Sequence, residues 1–444
     1  MAPHLGLRGS SLSRAIIWLV VCPAFFCYGY NLSVAGGLLT LDSFVKTFPQ
    51  LDTINTVGDE QHDNATIQGT VVALFTVGGM FGSLSCIYLG DKLGRRRVIF
   101  LASAITVAGA ALMASSFSLA QLVVARVVLG VGTGGYLATV PVWQSEMSKP
   151  ARRGAHVVTD GIFLGAGASA ALWIDLGFYF VKTSSISWRF PLGVQVALLL
   201  TMMVFVCVLP ESPRWLVKQG RQGEARQVLA ALNDVAPDDD RIAQDIRDIE
   251  LSLSVCGTLS WKAMLSNGPQ RMLHRTVLAA AGQMFQQMCG INLISMYATT
   301  IFEQYLGLSP FIFTVGYAGL TFLYATEVAP LQLRAAISAV STAAVWIFNF
   351  LLAEVTPIGF NTIGYRYYIV FAVLNAAIVP SVYFFFPETS GRSLEEIDEI
   401  FFRSKSIWDP PRVAQSLPRT HAGGEESEES ASSSSDVKAR VEHT

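Results

Sequence analysis

The sequence Pro210-Glu211-Ser212-Pro213-Arg214-Trp215-Leu216 follows one long apolar block, and Pro387-Glu388-Thr389-Ser390-Gly391-Arg392-Ser393 follows another. A second pair of motifs lies upstream, where Glu146 precedes Arg153 by seven residues and Glu327 precedes Arg334 by seven. The interval from Glu146 to Glu211 is nearly equal to the interval from Glu327 to Glu388. Two related halves that end in the same charged loops are typical of membrane transporters built from parallel repeats.

The composition also indicates a membrane protein. Of the 444 residues, 52% are hydrophobic and 14% are charged, whereas a soluble chain carries about 25% charged residues. The net charge is −2 and no basic patch is present, so nucleic acid is not an expected partner. The six cysteines are not spaced as metal ligands. Because we also find no nucleophile–base set and no phosphate-binding loop, we predict neither an enzyme nor a bound cofactor or metal.

The apolar runs predict an all-α protein with ten spans, since one span needs about 20 apolar residues. Lysines and arginines follow the second, fourth and sixth spans, which places those loops and both termini in the cytosol. The acidic loop at 38–67 then lies outside, and it carries the glycosylation sequon Asn64-Ala65-Thr66. The predicted spans are 15–37, 68–90, 98–117, 120–143, 157–181, 191–209, 276–304, 309–326, 335–357 and 367–386.

The polar segments divide the chain further. Residues 1–14 form a cytosolic N-terminus, 15–209 a six-helix half, and 210–275 a cytosolic linker. The linker has helical spacing at 223–233 and 238–252. Residues 276–386 form a shorter second half of about four helices. The tail at 387–444 is rich in Glu and Ser near its end, so we expect disorder from about residue 403.

Several motifs together resemble the sugar porter family of the major facilitator superfamily, over residues 15 to 402. They are Gly90-Asp91-Lys92-Leu93-Gly94-Arg95-Arg96-Arg97, Pro141-Val142-Trp143-Gln144-Ser145-Glu146, Gln286-Gln287-Met288-Cys289-Gly290-Ile291-Asn292 and the two Pro-Glu motifs. Trp173-Ile174-Asp175-Leu176-Gly177-Phe178 is most similar to filamentous-fungal members. The resemblance implies a major facilitator fold and alternating-access transport of a sugar such as a hexose. We expect a monomer in the lipid bilayer of the plasma membrane.

Charged residues recur near the predicted cytosolic ends of the spans. Opposite charges there can form a network that holds the outward-facing state and breaks when the halves rock apart. The alternative is that the cations only fix the topology. The candidate gate residues are Asp91, Arg95, Arg96, Glu146, Arg152, Arg153, Glu211, Arg214, Glu327, Arg334, Glu388 and Arg392.

Amide side chains cluster on the seventh predicted span at Gln286, Gln287 and Asn292. Each amide offers donors and acceptors, which suits a neutral polyol with many hydroxyl groups. The alternative is hydrogen bonding between helices. By resemblance these three residues line the sugar site, Tyr297 closes the outer gate and Asn349 is a further contact.

Arg126 lies in the fourth predicted span, where a cation is costly and functional by default. In proton-coupled family members the matching Arg pairs with an Asp on the first span, and that position is Asn31 here. An amide cannot carry a proton at neutral pH, so this route to symport is missing and uniport is favoured. Asp160 in the fifth span is an alternative proton carrier.

The second half is shorter than the first. The interval from Ile16 to Glu146 is more than twice as long as the matching interval from Val277 to Glu327. The family has twelve spans, so this chain lacks spans eight, nine and part of ten, with the junction near Ser309-Pro310-Phe311. The two intervals are 130 and 50 residues long, so the second half is short by about 80 residues. A gene-model error or alternative transcript explains the loss, and a true ten-span carrier is the alternative.

Two other functions stay open at this point. One is a non-transporting sugar sensor, and the other is an inactive truncated product.

Overall fold

A computed structural model describes residues 6–39, 41–53, 55–148, 153–179, 181, 184–256, 264–265, 271–289, 329–330, 332–363, 366–389, 392, 394–404, 406 and 408–417. All regular secondary structure within these ranges is helical. Seven of the described helices are long and apolar enough to cross a membrane, and Ile369–Phe385 is a shorter apolar helix. This confirms the predicted all-α membrane protein, although the eighth predicted span at 309–326 lies outside the described residues.

The first half contains six spanning segments. Helix α1 (Gly9–Ile16) continues through a π-helical turn (Ile17–Val21) into α2. The remaining elements are α2 (Cys22–Leu38), α3 (Asp42–Thr47), a 3-10 turn (Pro49–Leu51), α4 (Asp59–Leu93), α5 (Arg95–Ala114), α6 (Leu119–Met147), α7 (Arg153–Tyr179) and α8 (Ile186–Val208).

The linker, the described second half and the tail contribute eight more helices. Two of them, α10 and α11, match the helical segments that the sequence predicts in the linker. The bounds are α9 (Pro213–Lys218), α10 (Gln222–Asn233), α11 (Asp240–Cys256), α12 (Met272–Met288), α13 (Arg334–Ile363), α14 (Tyr367–Phe385), α15 (Leu394–Arg403) and α16 (Pro410–Ser416).

Glycines allow α4 and α6 to pack backbone against backbone. A Cβ atom on Gly78 would lie 2.2 Å from the Val127 carbonyl oxygen, and one on Gly134 would lie 2.0 Å from the Gly79 carbonyl oxygen. No side chain fits at such distances. Close approach through small residues is the usual means of joining helices in a bilayer, because lipid removes most of the hydrophobic driving force between them.

Helix α13 of the second half packs against α4 and α6 of the first half. Its Trp346 is fully buried, and its ring lies 5.6 Å from the ring of Tyr28 and 5.3 Å from that of Phe75. Ser338 on the same helix donates a hydrogen bond of 3.1 Å to the Ala138 carbonyl. The two halves are therefore in direct contact along α13.

Two sequence predictions need correction. Helix α4 begins at Asp59 rather than at 68, because the acidic residues Asp59 and Glu60 favour a helix N-terminus. The sequon residue Asn64 consequently lies in a helix, is 7% exposed and donates to the Asp52 carbonyl at 2.8 Å, an arrangement that does not suit glycosylation. The tail, predicted to be disordered from about residue 403, contains the helix α16 at Pro410–Ser416.

Candidate functional site

A buried ion pair lies at the junction of α4, α5 and α6. Glu146 near the end of α6 accepts two hydrogen bonds of 3.0 Å from Arg95, one from Nε and one from Nη2. Arg95 also donates to the Gly90 carbonyl at 3.0 Å. Both charged side chains are almost fully buried. A bidentate Arg–carboxylate pair of this kind is both strong and geometrically specific.

The same carboxylate reaches the second half. Arg334, the first residue of α13, places Nη1 3.5 Å from Oε1 of Glu146 and donates from Nε to the Ala329 carbonyl at 3.3 Å. The Arg334 side chain is 1% exposed. Glu146 thus links a cation from each half. We call Arg95, Glu146 and Arg334 the charge junction.

A second, more exposed contact connects the linker to both halves. Lys218 at the end of α9 lies 2.9 Å from the Asp91 carboxylate and donates to the Gln332 carbonyl at 2.9 Å. Trp215 on the same short helix donates from its indole to the Asp91 carbonyl at 2.9 Å. The linker therefore fixes the position of the α4 end and touches the residues that precede α13.

Glu211 caps the N-terminus of α5. Its carboxylate accepts the backbone N–H groups of Arg95 (3.1 Å), Arg96 (3.2 Å) and Ser212 (2.9 Å). Gly94 before that helix has φ +85°, and a Cβ there would lie 2.8 Å from Oε2 of Glu211. Burial raises the pKa of the Glu211 carboxyl above its ordinary value, although the N–H groups and the two arginines lower it in part.

The remaining candidate gate residues have other surroundings. Arg96 donates to the Val206 carbonyl at 2.9 Å and to the Cys207 carbonyl, where helix α8 ends and its carbonyls lack partners. Arg392 donates to the carbonyls of Ala414 and Leu417 at the end of α16. Arg96 and Arg392 therefore do not belong to the charge junction, and a gate role for them stays a prediction.

Two further candidates differ in their exposure. Arg214 is half-buried and Glu388 is exposed. The residues Arg152, Glu327, Asn292 and Tyr297 lie outside the described residues, as does the side chain of Arg153.

One buried cation of the second half escaped the sequence analysis. Arg275 near the start of α12 pairs with the Asp398 carboxylate of α15 and lies 4.4 Å from the centre of the Phe401 ring. In the sequence, Arg275 is visible as a basic residue at the start of an apolar run. Its partner could not be found because the two residues are 123 positions apart.

The predicted amide site falls on α12. Gln286 and Gln287 are both buried, at 5% and 2% exposure. Gln283, which the sequence analysis missed, is fully buried on the same helix. Its spacing of three and four residues to the other two glutamines puts all three on one helix face. That spacing was visible in the sequence and would have predicted a third amide at the site.

Asn349 on α13 is level with this amide cluster. Ser341 donates to the Ala279 carbonyl at 2.7 Å, which sets the register between α13 and α12. Asn349 lies eight residues after Ser341, and Gln287 lies eight residues after Ala279. Asn349 is fully buried, and neither its Nδ2 nor its Oδ1 has a hydrogen-bond partner in the described structure. Buried amides are normally hydrogen-bonded, so Asn349 is a candidate contact for a polar group.

The residues predicted for coupling are not joined. Asn31 donates to the Gln195 Oε1 atom at 2.6 Å and to the Cys27 carbonyl at 2.9 Å. Nε of Arg126 has no hydrogen-bond partner, and none of the described carboxylates lies within 4.0 Å of this side chain. Asp160 is buried and accepts a hydrogen bond of 3.0 Å from Gln144.

Two helical halves joined along α13, with buried charges at one end, define an integral membrane protein of the major facilitator fold. A solved structure of the proton:xylose symporter XylE bound to 6-bromo-6-deoxy-D-glucose has the same fold, with a TM-score of 0.73 at 19% identity, covering 88% of this chain and 100% of that chain. The sequence profile described as "Sugar (and other) transporter" matches residues 17–310 and 307–401. The chain belongs to this family, which confirms the resemblance noted in the sequence.

The curated relatives of this chain include two fungal transporters. Sugar transporter STL1 of Saccharomyces cerevisiae is 31% identical over 94% of this chain and 86% of its own length. The MFS-type transporter oryC of Aspergillus oryzae is also 31% identical, over 96% of this chain and 93% of its own length. Fungal relatives therefore match nearly the whole chain.

The alignments with these relatives also bear on the predicted gap. The STL1 alignment extends over 494 residues, whereas 94% of 444 residues is about 417, which leaves about 77 alignment positions without a counterpart in this chain. The family profile breaks into two matches that meet at residues 307–310. The break lies beside Ser309, and both observations are consistent with the predicted gap of about 80 residues.

Proposed function

We propose that this chain is a sugar carrier with an incomplete second half, and that the complete carrier moves a sugar, with a hexose as the expected substrate, across the plasma membrane by alternating access. The observation that carries the proposal is the charge junction, which connects the two halves at one end of the molecule. Both termini and this end face the cytosol in the proposed orientation. No chemistry on the substrate is involved, so the protein is not an enzyme.

The charge junction acts as the cytosolic gate. Glu146 holds Arg95 of its own half and Arg334 of the other half, so separation of the halves at this end must leave the Arg334 cation without that carboxylate. Lys218 adds a weaker, partly exposed link through Asp91. Closing this end leaves the opposite end free to open, which is the outward-facing state of a rocking carrier.

The sugar site is formed by the amides of α12 and α13. Gln283, Gln286 and Gln287 provide donors and acceptors on one face, and Asn349 stands level with them. The indole of Trp346, one turn before Asn349, supplies an apolar surface beside Tyr28 and Phe75 of the first half. A neutral molecule with several hydroxyl groups can form hydrogen bonds with these amides, whereas a charged substrate would find no counterion among these residues.

The proposal is tested with the restored carrier, defined as this chain with the corresponding STL1 segment inserted at residues 307–310. The restored carrier is reconstituted in liposomes, and uptake of labelled hexose is measured with and without unlabelled hexose inside. Alternating access predicts faster initial uptake into the preloaded liposomes. Hexose uptake that is unaffected by internal sugar, or is absent under both conditions, contradicts the proposal.

A further inference from the structure

Asp175 is a buried carboxyl group that neither the sugar site nor the charge junction uses. It lies on α7 and is 5% exposed. Neither Oδ1 nor Oδ2 has a hydrogen-bond partner, and no cation among the described residues lies within 4.0 Å. By contrast, the other buried carboxyl on this helix, that of Asp160, accepts a hydrogen bond from Gln144.

The first helix packed against this part of α7 is α2. Among the titratable groups of α2, Tyr30 lies close enough to Asp175 for the two to interact electrostatically. Cys27 lies one turn from Tyr30 on the same helix. The Tyr30 hydroxyl donates its proton to the Pro191 carbonyl at 2.7 Å. That hydroxyl is therefore not available as a donor to the Asp175 carboxylate.

The second neighbouring helix is α8, whose ionisable side chains are Arg189 and Cys207. Arg189 donates to the carbonyls of Ala114 and Ser116 at 3.1 and 2.9 Å, so its charge is directed away from α7. Cys207 lies near the opposite end of α8. Neither group neutralises Asp175.

The outer surface of α7 around Asp175 is apolar. Trp173 and Leu176 are 73% and 48% exposed, and the ring of Phe178 stacks on Phe190 of α8 at 4.8 Å. An ionised carboxylate that is buried in apolar surroundings without a paired cation is unfavourable, so the neutral acid is favoured. The helix ends at Tyr179, four residues later, which puts the carboxyl about 6 Å from that helix end.

We propose that Asp175 is a proton-binding site whose neutral form stabilises the packing of α7 against α2 and α8 when the charge junction is closed. A proton from the outer aqueous side binds the carboxylate, and no other bond forms or breaks. Movement of α7 that admits water favours release of the proton. Proton occupancy and helix packing are then linked, and each biases the other by the same free energy.

This site deepens the proposed function, on which its role in transport rests, because it offers a proton route that does not pass through Asn31. The proton-binding step itself is independent of sugar. It can therefore be measured on the 444-residue chain without any transport.

The direct test is infrared spectroscopy of the purified chain in detergent at pH 7. We expect the carbonyl stretching band of a protonated carboxylic acid that disappears in Asp175→Asn and shifts in Asp175→Glu, which retains the carboxyl group. Asp59→Asn, at an exposed position, serves as the control and leaves that band unchanged. Absence of any band that depends on residue 175 shows that the carboxyl is ionised and overturns the proposal.

A second measurement addresses the link to packing. Asparagine resembles the neutral acid, so raising the pH from 6 to 9 should lower the thermal midpoint of the wild-type chain more than that of Asp175→Asn. Equal pH dependence of the two proteins overturns the linkage. If the infrared band depends on residue 175 but the restored carrier takes up no hexose, the proposed function alone is contradicted. If the restored carrier takes up hexose but no band depends on residue 175, this inference alone is contradicted.

Discussion

The Glu146 carboxylate of the first half lies 3.5 Å from the Arg334 guanidinium of the second half, and both side chains are buried. The same carboxylate is held by two hydrogen bonds of 3.0 Å from Arg95. One anion thus neutralises two buried cations, one from each half. Because an uncompensated buried charge is strongly unfavourable, loss of this carboxylate should weaken the contact between the two halves at this end.

Glu146→Gln should open the charge junction. Removing one partner of a buried ion pair costs about 3–5 kcal/mol, because the other charge is left unpaired. The measurement is the rate of thiol labelling at Ser338→Cys, which lies at the contact between the halves, in a background with the exposed Cys207 replaced by serine. We expect labelling to be at least about ten-fold faster, since ten-fold corresponds to about 1.4 kcal/mol.

The matched control for that substitution is Glu224→Gln. Glu224 pairs with Arg221 at 2.6 Å, but both side chains are about half exposed and neither belongs to the charge junction. An exposed pair contributes about 0–1 kcal/mol, so labelling at position 338 should not change. Equal labelling in the two variants would rule out a gating role for Glu146.

Glu211→Gln should be tolerated, unlike Glu146→Gln. Burial raises the pKa of Glu211 in the folded protein, so protonation of this carboxyl stabilises the fold. This stabilisation is fully present below the unfolded-state pKa of about 4.3 and is lost as pH rises through the folded-state pKa. The glutamine is neutral at every pH and its Oε1 still accepts backbone N–H groups. We therefore expect thermal midpoints at pH 8 that are no lower than wild type.

The contrast between pH 5 and pH 8 provides the check on Glu211. The wild-type midpoint should fall relative to that of Glu211→Gln as pH increases. A Glu211→Gln protein that is clearly less stable than wild type at pH 8 would show that the ionised carboxylate contributes net stability.

Gly79→Ala should weaken the contact between the halves. A Cβ at this position would lie 2.4 Å from the buried indole ring of Trp346, so either the ring or α4 must move. Overpacking of a buried site typically costs about 1–3 kcal/mol, and the thermal midpoint should fall. Gly69→Ala is the control on the same helix, where nothing lies within 4 Å, and its higher helix propensity should leave the midpoint unchanged or raised. Similar shifts in both variants would contradict the assigned contact.

Gln287→Ala and Asn349→Ala should each weaken sugar binding by the restored carrier. Loss of one good hydrogen bond costs about 0.5–1.5 kcal/mol, which is roughly 2- to 13-fold in affinity. The control is Gln244→Ala, which removes an amide from the linker helix α11, far along the chain from the site. Hexose affinity from equilibrium binding should fall only in the first two variants, and unchanged affinity in both would remove these residues from the sugar site.

Local sequence patterns predicted most of the helices. The first-half spans are long apolar runs bounded by charged residues, and the linker helices have clear helical periodicity. The start of α4 was placed too late because its first turns are polar and pair with the preceding loop, as in the bond from Asn64 to Asp52. The small helix α16 was missed because composition does not show its tertiary contacts, such as the hydrogen bonds from Arg392 to the carbonyls of Ala414 and Leu417.

The candidate gate was predicted in part. Charge and spacing identified Arg95, Glu146 and Arg334, which the structure brings together. The same reasoning could not separate them from Arg96 or Glu211, which bind backbone groups at helix ends, because that choice depends on side-chain direction. Asp175 lies within the motif from Trp173 to Phe178, but its proposed role depends on its burial without a hydrogen-bond partner, which only the folded structure shows.

We propose that this chain is a sugar carrier whose second half is incomplete. About 77 positions of the STL1 alignment have no counterpart in this chain, which exceeds the length of two spans of about 20 residues each. The most direct measurement is uptake of labelled hexose by cells that lack their own hexose carriers and express either the 444-residue chain or the restored carrier at equal surface level. We predict strong uptake with the restored carrier and little or none with the 444-residue chain. Equal uptake from the two would contradict the account and establish a functional ten-span carrier, and uptake from neither would contradict sugar transport itself.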